Sequence, residues 1–333
     1  MMSIEAELLT PPDIQGAEYD RTRFLGGSDI AAIMGLSPYR TQVDVYLQKT
    51  HQAPPPKPDP ARERRFLRGK RLEPYVVQML EEDHGITIVG RNKRYRDPEF
   101  QFMAAEIDFE WHDADPRLRN GEIKTVALVP GMLERWGEEG TDEVPIEHAA
   151  QSMWGLMLTP GRELCQYGTL FGMDQLLLYS VERDEETIAN MREQALAFWR
   201  NHVELRIPPA PRTLEDCYKL WPRAVRRARA ATPEVEAALR TYVELGEKIR
   251  VAEEGREACE FLIKSFLEDH EGIIRADGVA TADGERLLAS FKEQTRDTVD
   301  GAALKKAHRE IYDRFVRTAH FRVLRPVKKE VLK

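Results

Sequence analysis

Apolar and polar positions along this chain change period from block to block. Phe66, Leu67, Leu72, Val76, Val77 and Leu80 recur at helical spacing, which predicts a helix over 62–84, kinked or broken at Pro74. ITIVGRNKRYR, EFQFMAAEIDFEW and GEIKTVAL then read as strands, and 129–145 as a loop-rich stretch. PIEHAAQSMWGLMLT reads as a helix with Pro145 near its first position. LCQYGTLFG and LLLYSVER follow as strands, and DEETIANMREQALAFWRNHVEL as an amphipathic helix. Upstream, RFLGGSDIAAIMGLSPY predicts a turn and a short apolar helix, with Ser28 or Asp29 as N-cap and Gly35 just past its end. VDVYLQKT predicts another helix, stopped by the proline-rich APPPKPDP at 53–60. This order makes residues 21–207 an α/β core with a mixed central β-sheet flanked by helices, preceded by a polar, loosely ordered segment 1–20.

Beyond PPAPR at 208–212 the composition shifts towards Glu, Arg and Ala, so residues 208–333 form a separate extension. Residues 233–271 predict a long amphipathic helix or helical hairpin, capped by Thr232 before Pro233. The segments ERLLASF, GAALKKAHREIYDRF and HFRVLRPVKK predict strand, helix and strand, a small α+β unit after the helical arm.

Composition narrows the function. The net charge is −8, from 49 basic and 57 acidic residues, which argues against a protein that coats nucleic acid indiscriminately. It leaves room for an enzyme whose cations are concentrated in one channel, and the runs ARERRFLRGKR and PRAVRRARA are such concentrations. No window approaches a membrane span, and the first residues lack a secretory pattern. Three widely spaced cysteines, Cys165, Cys217 and Cys259, fit reduced thiols in a cytoplasmic protein.

The chemical signal is a hairpin with charges at its centre. Asp108 lies on one predicted strand, and Glu122 and Lys124 on the next. Residues two apart on a strand face the same side, so Glu122 and Lys124 point together, with Ile123 opposite. Two carboxylates and a backbone carbonyl are hard oxygen ligands of the kind Mg²⁺ or Mn²⁺ takes. A lysine beside them can orient water or stabilise charge on a phosphoryl group. A cross-strand salt bridge on a wet sheet face accounts for the same three residues. Glu73 on the preceding helix and Gln151 on the following one are placed to reach the same point.

The ordered set GGSDIAAIMGLSPY, RGKRLEPYVV, AEIDFEW…GEIKT and the Gln151 helix resembles the YqaJ-type viral recombinases, relatives of the bacteriophage lambda exonuclease in the PD-(D/E)xK nuclease superfamily. The likeness extends from about residue 21 to 326. It implies a PD-(D/E)xK core, with Asp108, Glu122 and the Ile123 carbonyl as ligands of Mg²⁺, for which Mn²⁺ substitutes. Lys124, Glu73 and Gln151 are then catalytic residues. Arg21 and Ser28 have the spacing of the pair that holds the 5′-phosphate of a DNA end. The implied activity is a 5′→3′ exonuclease on double-stranded DNA ends that releases 5′-phosphomononucleotides. It leaves 3′ tails for a single-strand annealing partner, and the implied assembly is a homotrimeric ring. An endonuclease or structure-specific repair nuclease with the same site is a second reading, and a non-catalytic DNA-end-binding scaffold a third. Two departures stand out: Met153 replaces the second glutamine of the family's QxQ, and AEID stands where a Pro-Asp pair is expected.

Overall fold

The computed structural model describes residues 20–53, 59–112, 115–129, 131–225, 227–274, 287–318 and 322–331. The segment 1–19 and most of the proline-rich run at 53–60 lie outside them. The chain divides into two compact units, Met1–Leu220 and Trp221–Lys333.

The first unit is built on one mixed sheet of five strands in the order β1 (Thr87–Arg96), β2 (Ala104–His112), β3 (Arg119–Val126), β4 (Leu164–Phe171) and β5 (Gln175–Glu182). Neighbouring strands are antiparallel except β3 and β4, which run parallel from Asn120 opposite Cys165 to Val126 opposite Phe171. A parallel pair needs a crossover, and the helix α4 (Ile146–Leu158) supplies it. α4 lies on one face of the sheet with α1 (Gly27–Ile33), α2 (Gln42–Lys49) and α5 (Glu185–Phe198). On the other face lies α3 (Pro60–Glu82), one continuous helix through Pro74, where a kink or break was expected.

Each face has its own core. Trp154, Tyr167, Tyr179 and Leu156 are fully enclosed on the α4 side, and Val76, Leu80, Phe109 and Leu170 on the α3 side. Each such aliphatic or aromatic side chain contributes about 1.5–3 kcal/mol on leaving water. A Cβ on Gly168 of β4 would come within 3.0 Å of Leu80, so the glycine lets α3 approach the sheet. Trp154 Nε1 donates to the Ala104 carbonyl at 2.8 Å and pins α4 to β2.

A buried polar knot fixes the start of β3. The Arg162 guanidinium donates to Asn120 Oδ1 (2.7 Å), the Tyr95 hydroxyl (2.6 Å) and Glu110 Oε1 (2.7 Å). Asn120 Nδ2 donates in turn to Thr159 Oγ1 at 2.9 Å. The knot ties β1, β2 and the end of α4 to the strand that carries Glu122 and Lys124.

Three helix boundaries differ from the sequence expectation. α1 is capped by Gly26, not Ser28 or Asp29; Asp29 sits inside the first turn and accepts from Gly26 N at 3.1 Å. Gly35 follows the helix with φ +75°, as a residue past a helix end requires. Pro145 is the N-cap of α4 and lies just outside it. α5 continues as one wide π-turn segment, Trp199–Glu204, and a short helix, α6 (Leu214–Leu220), closes the unit. α6 is held to α2 by Thr41 Oγ1 donating to Asp216 Oδ1 at 2.7 Å and by the Lys219–Asp44 ion pair, also 2.7 Å.

In the second unit, Pro233–Leu267 forms a single helix, α7, rather than a hairpin, with Thr232 as N-cap and Pro233 at its first position. Much of it is exposed, including Tyr242, Leu245, Ile249 and Phe266. The pair β6 (Gly272–Ile274) and β7 (Leu287–Ser290) follows. The expected single helix is two, α8 (Gly301–Ala307) and α9 (Arg309–Phe315), separated by His308. The expected last strand does not form among the described residues: 322–327 is irregular and α10 (Lys328–Val331) ends the unit.

Candidate active site

β2 and β3 pair only briefly, from Phe109 opposite Gly121 to Trp111 opposite Arg119, and then separate. A Cβ on Gly121 would meet the Phe109 ring at 2.2 Å, so glycine is required for even this pairing. Asp108 enters the gap where the strands part. Its Oδ2 accepts from Ile123 N at 2.9 Å, taking the place of a backbone rung. The carboxylate therefore sits against the Glu122–Ile123–Lys124 backbone, where the hairpin spacing of the sequence put it.

Glu122 is buried, and its Oε1 accepts from Lys124 Nζ at 2.5 Å and from Gln151 Nε2 at 2.6 Å. Lys124 Nζ also donates to Gln151 Oε1 at 3.3 Å. Gln151 on α4 thus closes a three-residue ring with the two residues of β3. Burial works against the Lys124 ammonium, but Glu122 and Asp108 outweigh it and hold its pKa above the usual lysine value. Burial and then Glu122 push Asp108 up to about 8, against Lys124 and the Ile123 N–H, with a smaller push from Glu73. Glu73, half-buried on α3, is near enough to be felt by Asp108, although no hydrogen bond joins the two.

Those shifts test whether the residues suit a divalent cation. Two neighbouring carboxylates, one of which retains a proton because of desolvation first and the other's charge second, form a site that a cation can occupy by displacing that proton. The oxygen-only donor set of Asp108, Glu122 and the Ile123 carbonyl suits Mg²⁺ or Mn²⁺. Among the described residues no group of three or more His, Cys, Asp or Glu side chains is arranged to ligate a metal, so such a site takes two carboxylates and completes its shell with a backbone oxygen and water.

The second expected pair is beside the first. Arg21 Nη2 donates to Ser28 Oγ at 2.8 Å. A Cβ on Gly26 would lie 2.8 Å from the Arg21 guanidinium, and one on Gly27 would lie 2.7 Å from Gln151 Cγ. The two glycines therefore let Arg21 lie flat on one side and Gln151 approach from the other, joining the Arg21–Ser28 pair to the carboxylates.

The sequence did not reveal a cluster behind this pair. Asp29 is fully buried and receives Lys49 Nζ (2.7 Å), Arg40 Nη1 (2.9 Å) and Arg21 Nη2 (3.4 Å). Burial opposes its charge, but Lys49, Arg21 and Arg40 hold the carboxyl below its ordinary range. Burial lowers Lys49 to about 8 despite Asp29. Three cations around one carboxylate leave positive charge facing Ser28. No spacing in the sequence announces this, because Arg40 and Lys49 reach Asp29 only once α1 and α2 fold together.

His148, one turn before Gln151, is half-buried and kept neutral: desolvation first, then Lys124 and Arg135, lower its pKa to about 3. Its ring lies against Trp136, 5.7 Å between centroids. Met153, at the position of the expected second glutamine, is in the core, where its sulphur accepts from Asp184 N at 3.4 Å.

A mixed sheet with two carboxylates and a lysine where two strands part, crossed by a helix bearing a glutamine, defines an α/β protein with a site suited to phosphodiester chemistry. Residues 18–161 match the model of the YqaJ-like viral recombinase domain. The chain is 24% identical over 315 residues to the protein YqaJ of Bacillus subtilis (strain 168), covering 91% of each. Among solved structures it is similar to an alkaline exonuclease (LHK-Exo) from Laribacter hongkongensis, at 18% identity and a TM-score of 0.41, over 56% of this chain and 90% of that one. The same protein in complex with dAMP gives 19% identity and a TM-score of 0.39, with the same coverage. No helix among the described residues is long and apolar enough to cross a membrane.

Proposed function

We propose that the chain is a Mg²⁺-dependent 5′→3′ exonuclease acting on double-stranded DNA ends and releasing 5′-phosphomononucleotides. The observation that carries this reading is the convergence of Asp108, Glu122, Lys124 and Gln151 at the gap between β2 and β3, with the Arg21–Ser28 pair against Gln151. Mn²⁺ substitutes for Mg²⁺ on the same oxygen ligands.

Asp108, Glu122 and the Ile123 carbonyl would hold the cation, which when bound would supply positive charge to a phosphoryl oxygen and acidity to water. Lys124, charged in the resting site, stabilises the negative charge that develops on the phosphoryl group as water attacks in line. Gln151 keeps Lys124 and Glu122 in place, and Glu73 sets the electrostatic balance at Asp108 from the α3 side. Arg21 and Ser28 hold the terminal 5′-phosphate, with Arg40 and Lys49 adding charge behind them. Anchoring that phosphate fixes which phosphodiester lies over the carboxylates, and this makes the activity end-dependent.

The test is degradation of linear duplex labelled at either 5′ or 3′ ends, with and without Mg²⁺. Labelled mononucleotide is expected first from 5′ ends and only with the cation. Linear duplex left intact with Mg²⁺ or Mn²⁺, whether or not its ends are phosphorylated, refutes the reading. Covalently closed circles are spared if the enzyme is end-dependent and nicked if it is an endonuclease or structure-specific repair nuclease. Ser28→Ala is expected to reduce discrimination between phosphorylated and hydroxyl ends by roughly tenfold, the weight of one charge-assisted hydrogen bond. The 3′ tails suit a single-strand annealing partner. A homotrimeric ring around the DNA accounts for processive action, and light scattering of the full chain checks it.

A further inference from the structure

On β4, Thr169 is the register partner of Lys124 in the parallel β3–β4 pair, just as Tyr167 is the partner of Glu122. Partners on adjacent strands project from the same face of a sheet. Thr169 is therefore beside Lys124, on the face that α4 covers. Its side chain is fully buried, and Oγ1 has no hydrogen-bond partner. Leaving a buried hydroxyl unpaired carries a desolvation cost, so such groups are scarce in folded proteins. Valine has nearly the same shape without that cost, and threonine at this position calls for a state in which the hydroxyl is used.

Lys124 supplies that state. In the resting site its ammonium, which has three donors, is held by Glu122 Oε1 at 2.5 Å and more loosely by Gln151 Oε1 at 3.3 Å. Glu122 Oε1 also receives Gln151 Nε2 at 2.6 Å, so one oxygen carries two close donors. A carboxylate that donates electron density to a divalent cation is a poorer acceptor for both. We propose that Thr169 is a positioning residue: its hydroxyl accepts from the Lys124 ammonium when Glu122 turns to a bound cation, and holds Lys124 at the phosphoryl group. No covalent bond is made or broken in this step. One donor of Lys124 passes from Glu122 Oε1 to Thr169 Oγ1, and the threonine proton is free to rotate away. The inference rests on the metal-dependent nuclease reading of the site.

The experiment compares wild type, Thr169→Val and Thr169→Ser by steady-state cleavage of 5′-phosphorylated linear duplex and by thermal unfolding with and without Mg²⁺. Thr169→Val is expected to lower kcat about tenfold with KM within about twofold, the loss of one hydrogen bond to a charged group. Thr169→Ser restores most of the rate. Without Mg²⁺, Thr169→Val unfolds at or above the wild-type temperature, because no resting-state bond is lost. Its gain in unfolding temperature on adding Mg²⁺ is smaller than that of wild type. A valine variant with wild-type kcat and the full Mg²⁺ gain overturns the proposal and leaves Thr169 an unpaired core hydroxyl. A valine variant that unfolds below wild type without Mg²⁺, and is not rescued by serine, overturns it as well. If wild type neither cleaves nor gains stability with Mg²⁺, the nuclease reading fails and Thr169 with it. If wild type gains stability with Mg²⁺ but does not cleave, the difference in Mg²⁺ gain between wild type and Thr169→Val still decides the proposal.

Discussion

Asp108 carries the pH dependence of the site. Its pKa is raised from the ordinary value to about 8, by burial first and by Glu122 second. A carboxyl raised in the folded state contributes stability that is fully present below its unfolded pKa and is lost as pH rises through the folded one. The metal-free protein is therefore expected to lose stability between about pH 4 and pH 8 on account of this residue. A cation must displace the same proton, so Mg²⁺ affinity should rise about tenfold per pH unit up to about pH 8 and then level. Calorimetric titration at pH 6, 7, 8 and 9 checks this, with each pH near those values held to about a tenth of a unit. An affinity that does not change below pH 8 would show that Asp108 holds no proton there. Asp108→Asn, which keeps the shape and removes the charge, should flatten the dependence and reduce cleavage by on the order of 10³-fold while the protein stays folded. Asp108, Glu122 and Lys124 were legible in the sequence because charge on a strand that ought to be apolar is conspicuous over a few residues. Thr169 was not: a threonine in a β-strand is ordinary, and only the absence of a partner in the folded core sets it apart.

Local period revealed the helices and strands of the core, since each has a continuous face to bury. It failed where an element's geometry is set by something distant. Ile107 and Phe109 are two apart on β2, yet they belong to opposite cores, because the strand changes phase where Asp108 enters the gap. Strict alternation would have placed them together. The last expected strand, within HFRVLRPVKK, has apolar residues at suitable spacing but no neighbouring strand among the described residues to pair with. The clasp between α1 and α2 was hidden for the same reason, and it carries its own prediction. Asp29 and Lys49 are both fully buried and only 2.7 Å apart. Asp29→Asn leaves the Lys49 ammonium without its countercharge, at a cost of about 3–5 kcal/mol. For a unit of this size that lowers the unfolding temperature by roughly 6–20 °C. Because the Asp29 pKa is lowered, its contribution is present above about pH 4 and fades as pH falls further, so wild type and variant should converge in acid. A variant as stable as wild type near neutral pH would mean that the cation cluster does not depend on Asp29.

At the scale of the whole molecule, the proposed function requires an excess of acidic residues to coexist with binding to a polyanion. With a net charge of −8, duplex DNA is repelled by the average surface and attracted only where cations are concentrated. α3 is one such place: Arg64, Arg65, Lys70 and Arg71 are exposed along it, while Arg68 is fixed by donating to the Gly172 carbonyl at 2.6 Å. The same helix carries Glu73 towards Asp108, so under the proposed function a duplex neutralised by these cations would lie beside the carboxylates. Each phosphate neutralised by a cation releases counterions, and binding weakens with salt at a log–log slope of about −0.9 per contact. The double variant Arg64→Gln, Arg71→Gln should reduce the magnitude of that slope by about 2 and weaken binding similarly on every sequence. The rate at saturating DNA should change little, because neither arginine touches the reacting group. Fluorescence anisotropy with a catalytically silent Asp108→Asn background, across about 50–200 mM salt, measures the slope directly. An unchanged slope would mean that the duplex approaches by another face, and that the basic run of α3 is a solvated helix surface.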